Sequence, residues 1–204
     1  EKQQGTLPLL KVTAQGGNLL DGNKQLERLM RGNERYVEDR LEHPNRDADR
    51  RRETAQFGQS PIVATLSCSD SRAPIEVVFD KGVGDIFSVR TAGNIIDELV
   101  LGSLELGISQ FDIPLLCVLG HTNCGAIKLA VEVNRLSGNM SRIVHGILPV
   151  FERVTRKHPQ LSKEKLIEKV TEENVRSVIR EIRDKSEIID ERAILGDLLI
   201  IGGV

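Results

Sequence analysis

No sign of charge dominates this sequence: 28 lysines and arginines stand against 30 aspartates and glutamates, for a formal net charge of -2 over 204 residues. A nucleic-acid-binding domain needs a clustered basic excess, and the balance excludes that class. The one basic stretch, Arg46 to Arg52 (RDADRRR), is interrupted by acids and reads as the solvated face of a helix. Cysteine is scarce as well. Cys68, Cys117 and Cys124 are too few and odd in number for a disulfide framework, which leaves thiols as ligands, nucleophiles or core residues. No apolar run approaches the ~20 residues that a membrane-spanning helix requires. No internal repeat or low-complexity tract stands out.

What is present fits one globular domain. Hydrophobic residues make up 39% and charged residues 28%, ordinary values for a chain long enough to bury a core without staples. Residues 1–59 read as an N-terminal helical arm, with Asn23 as a helix cap and Leu26, Leu29, Met30 and Tyr36 at helical spacing. Residues 42–59 hold at most a short charged helix. From Pro61 the texture changes to short apolar runs punctuated by glycine. Residues 62–67, 85–90, 114–119 and 198–201 read as buried strands. Helical patterns lie between them at 95–109, 126–136 and 161–183, the last with mixed charges suited to a solvated surface. Continuous apolar strands alternating with helices predict a single α/β domain, a mainly parallel β-sheet flanked by helices. The core is then residues 60–204. The Leu26, Leu29 and Tyr36 stripe, set ahead of that core, is expected to pack on a partner subunit.

In such folds functional groups gather beyond the carboxyl ends of strands. Two polar turns sit there: Cys68-Ser69-Asp70-Ser71-Arg72 after the first strand and Gly120-His121-Thr122-Asn123-Cys124-Gly125 after the third. Two thiols, an imidazole and a carboxylate form a donor set suited to zinc. A cysteine nucleophile with His121 as its base is the competing reading. Cys117, inside the apolar run PLLCVL, reads as core packing.

CSDSRAP at 68–74, RTAGNI at 90–95 and GHTNCGAIK at 120–128 resemble the signature segments of the β-class carbonic anhydrases, within a likeness running from about Asn23 to Gly203. The resemblance implies one Zn2+ per chain, held by Cys68, His121 and Cys124, with Asp70 and Arg72 as the catalytic dyad. In some members of the family the aspartate moves onto zinc as a fourth ligand, which makes Asp70 a candidate ligand too. The implied reaction is reversible hydration of carbon dioxide to bicarbonate and a proton. Alternatives are hydrolysis of carbonyl sulfide or carbon disulfide on the same fold, or a catalytically silent zinc scaffold.

The resemblance further implies a substrate pocket at Gln59, Phe87, Ala92, Leu106 (where the family often has tyrosine) and Gly125. It implies a homodimer or a multiple of dimers, because the family builds this pocket across a subunit interface. A regulated subgroup binds bicarbonate at a second site that uses a tryptophan. This sequence has no tryptophan and places Thr65 there, so that site is not expected. Arg90, which matches the subgroup's arginine, is expected in an interface or a buried ion pair. His43, His145 and His158 are weaker candidates for proton shuttling. The expected compartment is the cytoplasm, with export or an organelle after removal of an N-terminal segment as the alternative.

Overall fold

The structure, a computed structural model, describes residues 10–11, 20–132 and 137–204. β1 (Leu10–Lys11), β2 (Val63–Cys68), β3 (Ile86–Thr91), β4 (Leu115–Leu119) and β5 (Leu199–Gly203) form one sheet in the order β1-β5-β4-β2-β3. β2 through β5 run parallel, with β2 between β3 and β4. The two-residue β1 pairs antiparallel with β5 and is too short to show an alternating pattern in the sequence. The four apolar runs sit within one or two residues of their expected bounds, as single-domain α/β architecture requires.

Successive strand residues face opposite sides of the sheet, and each side is covered. On one face Ala64, Leu66, Leu116, Val118 and Ile200 meet α4 (Glu98–Gln110), α7 (Lys163–Lys185) and α8 (Glu187–Leu195). On the other, Val63, Leu115, Cys117, Leu199 and Ile201 meet α1 (Leu20–Val37) and the single turn α3 (Ile75–Val78). α5 (Gly125–Glu132) and α6 (Met140–Lys157) pack with α7 around an apolar cluster that includes Cys68 and Cys124. α2 (Ala48–Phe57), carrying most of the basic stretch, buries none of its residues, as a solvated face should.

Several helical expectations change. α1 begins at Leu20, so Asn23 lies inside it and does not cap it. Leu26 and Leu29 are buried in this chain's own core against the sheet, so the stripe finds its cover within the chain; Tyr36 stays partly exposed. α4 starts at Glu98, later than the pattern suggested, because the chain first turns through Ala92–Asn94 and Asp97 then caps the helix by accepting the Val100 N–H. α7 is not a mere surface helix: Ile167, Val170, Thr171, Asn174, Val175, Val178, Ile179 and Ile182 form a buried stripe. The pattern did not reveal α6 at all, since Pro149 lies inside it and proline costs a helix interior ~3 kcal/mol. Burial of Val144, Ile147, Val150 and Val154, at ~1.5–3 kcal/mol each, outweighs that. α5 is described to Glu132, and the remainder of the expected helix to residue 136 lies outside the described residues.

One buried charge fastens the loop behind α1. The Asp80 carboxylate has no exposed side-chain surface and accepts Arg35 Nε at 2.6 Å and the N–H groups of Glu42 and His43 at 3.0 and 2.9 Å. Burial alone would push its pKa up; the three donors prevail and lower it to about 2. A lowered folded-state pKa stabilises the fold above the ordinary aspartate value of ~3.9 and loses that stabilisation as pH falls toward 2. Asp80→Asn is expected to cost about 2–3 kcal/mol at pH 7. Urea unfolding from pH 7 to pH 3 checks this: the deficit should shrink as the wild type loses its own stabilisation.

Candidate metal centre

β2 and β4 are adjacent parallel strands, so the turns after Cys68 and Leu119 open at one end of the sheet. Cys68 and His121 stand 53 positions apart in sequence (121 − 68) and meet in space. The donor atoms of Cys68, His121 and Cys124 all lie within 4.8 Å of one another, the two sulfurs 3.8 Å apart. That separation suits a shared metal: a tetrahedral ion with metal–sulfur bonds of ~2.3 Å sets two thiolates ~3.8 Å apart, whereas a disulfide needs ~2.0 Å. His121 Nδ1 lies 3.0 Å from the Thr122 carbonyl. Donation there assigns the proton to Nδ1 and presents the Nε2 lone pair, a buried atom without a hydrogen-bond partner among the described residues. A ligand histidine is oriented in this way. The residues fit zinc in type, number and spacing.

The electrostatics favour anionic sulfur. The neighbouring Cys124 S–H stabilises the Cys68 thiolate against the penalty of burial, aided by His121 and the backbone N–H groups of Gly93 and Asp70, and Cys68 is pulled well down. Cys124 is pushed up, because its S–H is held as donor to the Cys68 sulfur and burial penalises its charge, while N–H groups of Ile127 and Ala126 at the start of α5 favour its thiolate. A bound dication would offset the second effect and allow both thiolates to ligate. His121 is raised, chiefly by its contact with Cys68. Cys117 stands apart on β4, fully buried and pushed by burial to about 12, as the core reading requires.

Asp70 and Arg72 sit at the rim. Arg72 Nε donates to Asp70 Oδ1 at 2.9 Å and Nη2 to Oδ2 at 2.7 Å, a bidentate pair, and the Arg72 backbone N–H reaches Oδ1 at 3.0 Å. Arg72 Nη2 also reaches the Asn123 carbonyl at 3.1 Å, which ties the first turn to the second. Those hydrogen bonds from Arg72 hold the Asp70 carboxyl well below the usual carboxylate range. Asp70 Oδ2 lies 3.8 Å from His121 Nε2, close to the donor group while turned toward Arg72.

Of the expected pocket residues, one chain brings two to its own centre. Ala92 directly follows Thr91, the register partner of Cys68, and Gly125 directly follows Cys124. Gln59 is exposed and precedes β2, beside Gly84 just ahead of β3, at the opposite end from Cys68 of a strand that spans about 16 Å. Phe87 pairs with Ala64 near the start of β3. Its ring lies on Gly107, where a β-carbon would come within 2.5 Å, and meets Phe111 at 5.9 Å. Leu106 is 60% exposed on α4, on the same face as Leu99 at 82%. Gln59, Phe87 and Leu106 thus lie away from the centre of their own chain.

Arg90 is not in the buried ion pair that was one of its two expected places. Its guanidinium donates to the carbonyls of Cys68 (3.0 and 2.9 Å), Asp70 (2.7 Å) and Ala73 (3.4 Å), so it clamps the 68–73 turn and has no ion-pair partner among the described residues. Among the histidines, His43 sits with Arg46 and lends its N–H to Asp80, His145 is exposed, and His158 adjoins Lys169 and Glu173; none joins the donor group. Sequence reasoning missed the parts played by Asn123 and Gly93. The Gly-Asn pair after a strand was the available signal, since it favours the left-handed backbone that both Gly93 and Asn94 adopt.

A mainly parallel α/β sheet with a Cys–His–Cys donor group and a carboxylate–guanidinium pair at the strand ends defines a metal-dependent enzyme class. The matching family model is carbonic anhydrase, over residues 63–204. Carbonic anhydrase 2 of Mycobacterium tuberculosis (strain ATCC 25618 / H37Rv) is 36% identical over 178 residues, 85% of this chain and 83% of that protein. The carbonic anhydrase of Mycolicibacterium smegmatis is 34% identical over 84% of this chain and 82% of its own. Among solved structures, the β-carbonic anhydrase CcaA matches with a TM-score of 0.69 at 26% identity, covering 87% and 88% of the two chains. The β-carbonic anhydrase CafA of Aspergillus fumigatus matches at 0.66 and 25% identity, covering 88% and 84%. The chain belongs to the β-carbonic anhydrase family and is an enzyme. No described helix is long and apolar enough to cross a membrane.

Proposed function

We propose that this protein catalyses the zinc-dependent, reversible hydration of carbon dioxide to bicarbonate and a proton. The observation that carries the reading is the Cys68–His121–Cys124 group, with sulfurs at a tetrahedral separation and an unpartnered imidazole nitrogen, beside an intact Asp70–Arg72 pair. Cys68, His121 and Cys124 hold the ion, one per chain. When bound, zinc supplies the Lewis acidity that brings the pKa of water toward neutrality; a three-histidine carbonic anhydrase centre is the general example of this effect. The protein's own groups do the rest. Asp70 accepts a hydrogen bond from the attacking oxygen and directs its lone pair at the carbon of CO2. Asp70 has to be ionised for this, and Arg72 keeps it so across the neutral range, because a carboxyl lowered by its cation loses its charge only in strong acid.

Gln59, Phe87 and Leu106 complete a substrate pocket in the neighbouring subunit of a homodimer, or of a multiple of dimers. Their placement away from their own centre and the exposed Leu99–Leu106 face of α4 support that assembly. Sedimentation of a clean monomer at micromolar concentration would sink it. A stopped-flow CO2 hydration assay on zinc-loaded protein, repeated with carbonyl sulfide and carbon disulfide, tests the reaction. Carbonyl sulfide or carbon disulfide turnover far above CO2 turnover would assign the hydrolase reaction instead, and no turnover of any of the three would leave a zinc scaffold.

A further inference from the structure

The two metal-facing sulfurs are provided for unequally. Cys124 directly precedes α5, and the N–H groups that favour its thiolate, those of Ala126 and Ile127, come from the first turn of that helix. Cys68 ends a strand. One of its donors, the Gly93 N–H at 3.3 Å, comes from a turn 25 residues later. That turn holds two left-handed residues in succession, Gly93 with φ 69° and Asn94 with φ 45°, and such backbone keeps a fixed direction only when its surroundings hold it. One holding contact is long-range. Asn174 Nδ2, on α7, donates to the Gly93 carbonyl at 3.0 Å across 81 residues of sequence. Asn174 is 1% exposed, and its neighbours in the α7 stripe are mostly aliphatic. Ile147 and Ala126 wall the turn closely, at 2.9 and 3.0 Å from where a β-carbon on Gly93 would lie.

We infer that Asn174 is a positioning residue of the metal centre: by gripping the Gly93 carbonyl it aims the Gly93 N–H at the Cys68 sulfur. An N–H donated to a metal-bound thiolate withdraws electron density from the sulfur, and hydrogen bonds to ligands both orient them and tune the metal they hold. The buried asparagine on a helix otherwise committed to packing thus acts on the site through a single peptide turn. The other backbone donor to this sulfur, the Asp70 N–H, belongs to the turn that directly follows Cys68; the Gly93 N–H comes from a separate element and needs an anchor of its own.

The inference rests on the metal reading, and the experiment separates the two. Wild-type protein loaded with Co2+ should show a thiolate-to-cobalt charge-transfer band; absence of that band would remove the metal reading itself. In Asn174→Leu, and in Asn174→Ala as a second variant, the band is expected to move to lower energy as the Cys68 sulfur loses one of its donors. Zinc affinity, measured by competition with a chromophoric chelator, should fall by about 10- to 100-fold, the usual effect of removing a partner of a ligand. Thr171→Val serves as the control for simple destabilisation. Thr171 is buried on the same helix and, among the described residues, its hydroxyl bonds only the Ile167 carbonyl of that helix, so this variant should lose stability with its band in place. An unshifted band and unchanged zinc affinity in the Asn174 variants would overturn the inference. Should neither variant fold, cadmium-113-loaded wild type decides: the Gly93 amide proton should couple to the metal through the sulfur, and an uncoupled amide would count equally against it.

Discussion

Asp70→Asn should retain zinc near full occupancy while CO2 hydration falls by about 10²-fold or more, the order expected on removing a positioned acid–base group. Asn is nearly the same shape and keeps a carbonyl oxygen for the Arg72 backbone N–H. What it loses is the charge that accepts the hydrogen bond of the attacking oxygen and the second anionic oxygen of the bidentate pair. Zinc should stay because Asp70 is outside the donor group of Cys68, His121 and Cys124. Arg72→Ala should fall by a similar factor for a different reason. Freed of its cation, the carboxylate that now stands 3.8 Å from His121 Nε2 can turn inward and occupy the position that water needs. The two losses should not add, since each disables one unit. Arg72→Lys should recover part of the activity only, because an ammonium cannot match the planar fork that now meets both carboxylate oxygens. Metal analysis and stopped-flow hydration on the same samples read both quantities. Near-normal turnover in zinc-loaded Asp70→Asn would remove the dyad from the mechanism and leave the donor group untouched.

Cys68→Ala should abolish tight zinc binding. Two remaining protein ligands leave a charged ion half coordinated beside an apolar cluster of Ile127, Val144, Ile147 and Val170. Changes to the partners of ligands cost about 10- to 100-fold in affinity, and loss of a ligand should exceed that. A thermal readout adds to metal analysis. An ion that binds only the folded state raises its stability with concentration, so added zinc should raise the melting temperature of the wild type and leave Cys68→Ala unmoved. Cys117→Ser is the contrasting case. Its sulfur is fully buried on β4, outside the donor group, so the variant should keep its zinc and lose stability through a buried hydroxyl. Full zinc occupancy in Cys68→Ala would rule out the ligand assignment.

The strands of the core and the chemistry of the centre could be read from the sequence by itself, because both are written locally. Apolar runs such as LLCVL are legible wherever a strand is buried on both faces, and CSDSR and HTNC set ligand types at fixed places in a turn. Helix burial was less legible. The α7 pattern looked like a solvated face because its charges outnumber its apolar stripe, and α6 was hidden by Pro149; tertiary packing decided both. The cover for Leu26 and Leu29 was equally a tertiary matter, since amphipathic spacing shows that a face must be buried and does not say against what. Only the folded chain brought Cys68 to 3.8 Å from Cys124, gave Arg90 to the carbonyls of the 68–73 turn, and ran Asn174 to Gly93 and Gly93 to the Cys68 sulfur. The sequence determined which atoms could bind a metal, because side-chain chemistry belongs to each residue alone. The tertiary structure decided how those atoms are aimed, because backbone carbonyls and N–H groups are the same at nearly every residue and acquire a direction only when the fold fixes it.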